Sequence, residues 1–158
     1  MSDAPPTLQF ETLDQAVEHA RSLLANGYEP TGQWSLGQNC WHMATFTDFS
    51  LDGFPMLKVP WPISAGLRRL FINDKTMSKP MPAGMPTAPK LTPVDAVDDA
   101  KAVEAYAESC RRFDERLDAG GPFAKRALFG RLSPDLWHRV HLGHAAHHLG
   151  FLQPKVAA

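Results

Sequence analysis

Five of the chain's seven histidines fall within one stretch, Trp137-His-Arg-Val-His-Leu-Gly-His-Ala-Ala-His-His-Leu-Gly-Phe-Leu152, and that crowding limits what the chain can fold into. Ser133-Pro134-Asp135 just before it has the form of a helix start, with a serine cap, proline at the first helical position and a carboxylate in the first turn. At roughly 100° per residue, Trp137, His141, His144, His148 and Phe151 share one stripe, flanked by Val140, Ala145 and Leu152. Such a stripe faces a core. An imidazole buried there carries two ring nitrogens that must find partners once water is removed.

A divalent metal ion meets that need, because neutral imidazole is a common ligand and histidines at i and i+4 aim at one point. His144 and His148 have this spacing. His141, one turn earlier, either orients a ligand or shuttles a proton, or is a core residue beside the site. His147 and His138 lie off the stripe, and His147 is the candidate for a rim or partner contact.

A third imidazole comes from a second helical pattern. Ser35-Leu-Gly-Gln38 is a capping box that opens a helix running to about Phe49 and ending near Asp52-Gly53. His42 lies two turns in, with Gln38 and Asn39 toward the helix start and Phe46 and Phe49 further along, a wall suited to the mouth of a pocket. Gln38 and Asn39 are therefore candidates for supporting a ligand or touching substrate. Three neutral imidazoles leave a divalent ion with a vacant coordination position.

Two more helices follow from periodicity. Thr12-Leu-Asp-Gln15 reads as a capping box, with Leu13, Ala16, Val17, Ala20 and Leu24 recurring at helical spacing until Gly27, and with His19 on the solvent side. Thr92-Pro-Val-Asp95 reads as the start of a long helix whose seam is Val103, Tyr106, Cys110, Phe113 and Leu117, ended by Gly120-Gly121-Pro122. Its charged run from Glu104 to Glu115 belongs on the wet side.

Between the second and third helices, residues 54–93 are rich in proline and methionine. Phe54 to Pro62 is too proline-rich for a helix and reads as a packed loop. Ile63 to Asn73 suits a short amphipathic helix, with Arg68 and Arg69 outside and Leu67, Leu70 and Phe71 inside. The segment is a cover for one end of the fold or a lid over a site. Met77, Met81 and Met85 are interrupted by Pro80 and Pro82, so they read as apolar anchors rather than a copper site.

The pattern is all-α: a four-helix bundle with a long insertion at 54–93 and a flexible lead over residues 1–10. With 158 residues the chain suits a single domain spanning 1–158, large enough to bury a core without disulfides. A formal net charge of -1 gives no broad footprint for nucleic acid or an anionic membrane, and no stretch has the length and apolarity of a membrane span or a secretory signal. A soluble cytoplasmic protein acting on a small molecule is expected. Cys40 and Cys110 form no C-x-x-C pair and read as reduced, buried residues.

Trp34-Ser-Leu-Gly-Gln38, then His42-Met-Ala, then His144-x-x-x-His148 resembles the DinB/YfiT-like superfamily of metal-dependent four-helix enzymes. The Asp52-Gly53-Phe-Pro, Pro60-Trp-Pro, Met81-Pro-Ala-Gly84 and Phe129-Gly-Arg-Leu132 stretches resemble an uncharacterised domain-of-unknown-function branch of it. The resemblance implies a DinB-like four-helix bundle and a three-histidine site carried onto His42, His144 and His148, holding nickel, zinc or a similar divalent ion. Some members are similar to transferases of low-molecular-weight thiols such as bacillithiol, mycothiol or glutathione, and a homodimer is implied by the same analogy. This chain departs from the commoner ending His-x-x-x-His-Arg-Gly-Gln, having Leu149-Gly150-Phe151 after His148.

Two other readings stand beside a thiol-transferring enzyme: a metal or small-ligand binding bundle without catalysis, and a dimeric scaffold. The histidine face has no carboxylate, so hydrolysis with a glutamate base of the zincin kind has no visible base.

Overall fold

A computed structural model of the chain describes residues 8–55, 59–84, 87–124 and 129–156. Outside them fall Met85 of the methionine series, residues 56–58 of the proline-rich loop, residues 125–128 before the histidine helix, and most of the lead expected over 1–10. Leu8 and Phe10, at the end of that lead, pack against the core.

The described chain is mostly helical. In order it forms α1 (Leu13–Asn26), β1 (Tyr28–Pro30), α2 (Leu36–Asp52), α3 (Trp61–Phe71), α4 (Asp74–Met77), a 3-10 turn (Pro89–Leu91), α5 (Asp99–Asp118), α6 (Pro134–Gly150) and β2 (Leu152–Pro154). Helices α1 and α2 each pack against both α5 and α6, so the core lies among these four long helices.

Local chemistry sets the helix ends. Ser35 Oγ accepts from Gln38 N while Gln38 Oε1 accepts from Ser35 N, a complete capping box, and Gly53 closes α2 at φ +117°. Ser133 Oγ caps α6 at Leu136 N. Thr12 caps α1 at Gln15 N, but the expected box is incomplete, because Gln15 Oε1 accepts from Glu11 N instead of Thr12 N.

Helix α5 begins at Asp99, capped by Asp98, and not at Thr92. The cause lies in α2, which holds residues 91–95 by their carbonyls. Gln38 Nε2 donates to Val94 O and Asp95 O, and His42 Nδ1 lies 2.7 Å from Leu91 O. Asp98 and Asp99 then supply a second start signal that the tethered segment can use.

Three further expectations change. Leu23, not Leu24, is the inward leucine of α1. His19 is half-buried against Phe10, at 5.7 Å between ring centroids, and burial lowers its pKa. On α3 only Ser64 is buried, while Leu70 and Phe71 are exposed and Arg68 is half-buried, its Nη1 donating to Arg131 O.

The two short strands were not expected from the pattern. They pair antiparallel, with Tyr28 opposite Pro154 and Pro30 opposite Leu152, and tie the exit of α1 to the end of α6. Three-residue strands ending in proline are too short to show alternation. Cys40 and Cys110 are free and buried, and burial pushes Cys110 up to about 12 and Cys40 higher still, so neither is a thiolate at neutral pH. No helix among the described residues is long and apolar enough to cross a membrane.

The start of α2 is clamped to the start of α5. Asp99 accepts from Gly37 N and Tyr28 OH, and a Cβ on Gly37 would meet Val97 O at 2.6 Å and Asp99 Oδ1 at 2.7 Å. Gly37→Ala is therefore expected to lower the unfolding free energy by about 1–3 kcal/mol in urea titrations. A midpoint equal to the wild type would show that the clamp opens freely.

Candidate metal centre

Helices α2 and α6 meet with imidazoles at their seam. His42 and His144 are buried and His148 is half-buried. One ring nitrogen from each lies within 4.8 Å of the others, and no carboxylate or thiolate joins them among the described residues. The rings crowd at centroid separations of 4.5 to 5.0 Å.

The second nitrogens are largely committed elsewhere. His42 Nδ1 donates to Leu91 O at 2.7 Å, which leaves its Nε2 without a proton in the neutral ring. That bare Nε2 stands 3.0 Å from His144 Nε2. His148 Nδ1 donates to Asn39 Oδ1 at 3.0 Å, leaving Nε2 as its available ligand atom.

This donor set suits a divalent ion. Imidazole nitrogens bind zinc at about 2.0–2.1 Å, so tetrahedral neighbours stand roughly 3.4 Å apart, and the spacing here needs only small ring movements to reach that. Burial lowers the pKa of His42 and lowers that of His148 well below the ordinary imidazole value. For His42 the hydrogen bond to Leu91 opposes the effect; for His148 the neighbouring His42 and His147 add to it. Both rings are thus neutral, as a ligand must be.

Aromatic rings complete the walls. Trp34 stacks on His148 at 5.7 Å and 9°, and lies 5.1 Å from His42. Phe46 lies 4.6 Å from His144.

The structure separates the remaining candidates. His141 turns away, with Nε2 3.0 Å from Ser50 Oγ and Nδ1 3.5 Å from Thr47 Oγ1, and with Phe46 in contact with both its ring and that of His144. Ser50 Oγ donates to Thr47 O and Thr47 Oγ1 to Met43 O, and the single N–H of a neutral His141 ring can be received by one of the two hydroxyl oxygens. The ring nitrogens of His141 meet α2 hydroxyls in the core. Gln38 commits both ends of its amide to the α2 cap and to Val94 and Asp95. His147 stands 4.9 Å from His148 with its edge on Phe151, and burial lowers its pKa against the opposing effect of the Met81 backbone. His138 stacks on Phe113.

Asn39, among the supporting candidates, bonds a histidine of the cluster, His148. The Leu91 carbonyl was not legible in the sequence, since any residue supplies one. Trp34 was visible only as part of a motif.

The family described as "Protein of unknown function (DUF1569)" matches residues 2–155, and the chain belongs to it. No curated protein and no solved structure matches the chain.

The lowered imidazole values fix the sign of the pH dependence. Below 6.5 the unfolded chain takes up protons that folded His42, His147 and His148 resist, so their contribution to stability is complete above 6.5 and is lost as pH falls toward their lowered values. Metal-free protein is expected to unfold at lower urea at about pH 5 than at neutral pH. A midpoint that holds or rises would show that these rings protonate as readily in the folded chain.

Proposed function

We propose that this member of the DUF1569 family is a metal-dependent enzyme that conjugates a low-molecular-weight thiol to a small electrophilic substrate. In this reading His42, His144 and His148 hold a divalent ion such as nickel or zinc. Helices α1, α2, α5 and α6 are read as a DinB-like four-helix bundle in a single domain spanning 1–158, with residues 54–93 as its insertion. A cytoplasmic homodimer is the setting that goes with it.

The observation that carries the proposal is the convergence of three imidazoles from two helices, with the second nitrogens of His42 and His148 committed to Leu91 O and Asn39 Oδ1. Three neutral ligands would leave a bound ion its full charge, and the ion would supply a lowered pKa to a thiol or water that joined it. The chain's own residues supply the rest. Burial keeps His42 and His148 unprotonated, and Trp34 and Phe46 wall the imidazoles with apolar surface. Among the described residues no carboxylate joins the cluster to act as a general base, which favours a nucleophile brought in with the substrate over hydrolysis.

Protein purified without a histidine tag should carry about one divalent ion per chain by elemental analysis, and His144→Ala should lose it. Conjugation assays with glutathione, mycothiol or bacillithiol and a generic electrophile should show metal-dependent thiol consumption. Metallated protein that never consumes thiol would overturn the transferase reading, and wild-type protein that takes up no ion would overturn the metal reading altogether. Trp34 offers an independent signal: nickel should quench its emission, and Trp34→Phe should remove most of that quenching. Equal quenching in Trp34→Phe would place the bound ion away from the three imidazoles.

A further inference from the structure

We infer that Asn39 is a positioning residue that fixes the tautomer of His148, so that this ring presents a bare Nε2 to the cluster before any ligand arrives. The inference rests on the metal-site reading above and concerns how the site is held ready.

Asn39 is only 2% exposed, one residue beyond the capping glutamine of α2. Its Nδ2 donates to Ser35 O at 3.0 Å and lies 3.3 Å from Trp34 O. Those two carbonyls can only accept, so the amide is locked with its nitrogen toward the helix start. Its Oδ1 therefore faces α6, 3.0 Å from His148 Nδ1.

An amide oxygen can only accept, so the nitrogen opposite it must carry the proton. The reverse tautomer would set a bare Nδ1 against a carbonyl oxygen in a buried site and point an N–H into the cluster. Turning the amide over would instead place Oδ1 against the oxygens of Ser35 and Trp34. Both escapes are closed by backbone groups of one helix start. The stacked Trp34 ring lies over the same imidazole, and its own carbonyl helps hold the amide.

Leu91 O gives His42 the same polarity from the other side, with Nδ1 donating outward and Nε2 turned to the cluster. The two rings are thus set by different means. A backbone carbonyl cannot be removed by substitution, but Asn39 can, and it is the variable half of the device.

Two variants separate positioning from mere support of the helix start. Asn39→Ala removes both the amide donors and the acceptor, whereas Asn39→Asp keeps an acceptor for His148 but sets its second oxygen against the carbonyls of Ser35 and Trp34, which weakens the helix start. In metal-free protein, nitrogen-15 imidazole spectra should show His148 protonated on Nδ1 in the wild type and in Asn39→Asp, and a shift toward the Nε2-protonated form in Asn39→Ala. Zinc affinity, by competition with a chromogenic chelator, should fall about 10- to 100-fold in Asn39→Ala and fall less in Asn39→Asp.

If Asn39→Asp keeps His148 protonated on Nδ1 and yet loses zinc as badly as Asn39→Ala, the tautomer does not set the affinity and the positioning role is refuted. It is equally refuted if Asn39→Ala, shown to be folded by circular dichroism, keeps both the tautomer and the affinity. Wild-type protein that binds no zinc would count against the proposed function, while the imidazole spectra would still decide the role of Asn39.

Discussion

The fold is built around imidazole nitrogens that have been taken out of water. Helix α6 turns His141 and His144 into the interior, and α2 turns His42 toward them. A buried polar atom left without a partner costs about 1–3 kcal/mol, so the two helices cannot simply slide into the best apolar contact. Their register must bring Ser50 to His141, His144 to His42 and Asn39 to His148 together. That requirement fixes α2 against α6 more narrowly than leucine packing would.

The same row of histidines is divided into two kinds by its neighbours. Phe46 contacts the rings of both His141 and His144, and marks the boundary between them. Above it, the hydroxyls of Thr47 and Ser50 on α2 meet the two ring nitrogens of His141, and Trp137 and Phe113 pack around it. Below it, His42, His144 and His148 point ring nitrogens at one another. A single helical stripe thus serves as core at one end and as a candidate ligand cluster at the other.

Residues 91–95 connect this seam to the rest of the chain. Their carbonyls receive His42 and Gln38, which holds the backbone beside α2 and delays the start of α5 to Asp99. The clamp among Tyr28, Gly37 and Asp99 then joins α2 to α5, and the β1–β2 pair joins the end of α1 to the end of α6. The site is therefore supported by segments far apart in the chain, each through a hydrogen bond that has no sequence signature.

Much of this was legible beforehand because it depends on local chemistry. The caps at Ser35 and Ser133, the stop at Gly53, the inward face of α5 and the i, i+4 pair His144 and His148 all follow from residue types at fixed spacing within one helix. What the residues alone left open were matters of partnership: whether His141 faces a site or a pair of hydroxyls, whether Gln38 or Asn39 supports a ligand, and whether Thr92 or Asp98 starts a helix. Each turned on a contact across 49 to 109 residues, such as Leu91 O with His42 or Asn39 with His148. Periodicity tells which way a side chain points from its own helix axis, but a hydrogen bond needs a second group at the right distance, and only the packing of α2 against α6 and the 91–95 segment supplied it.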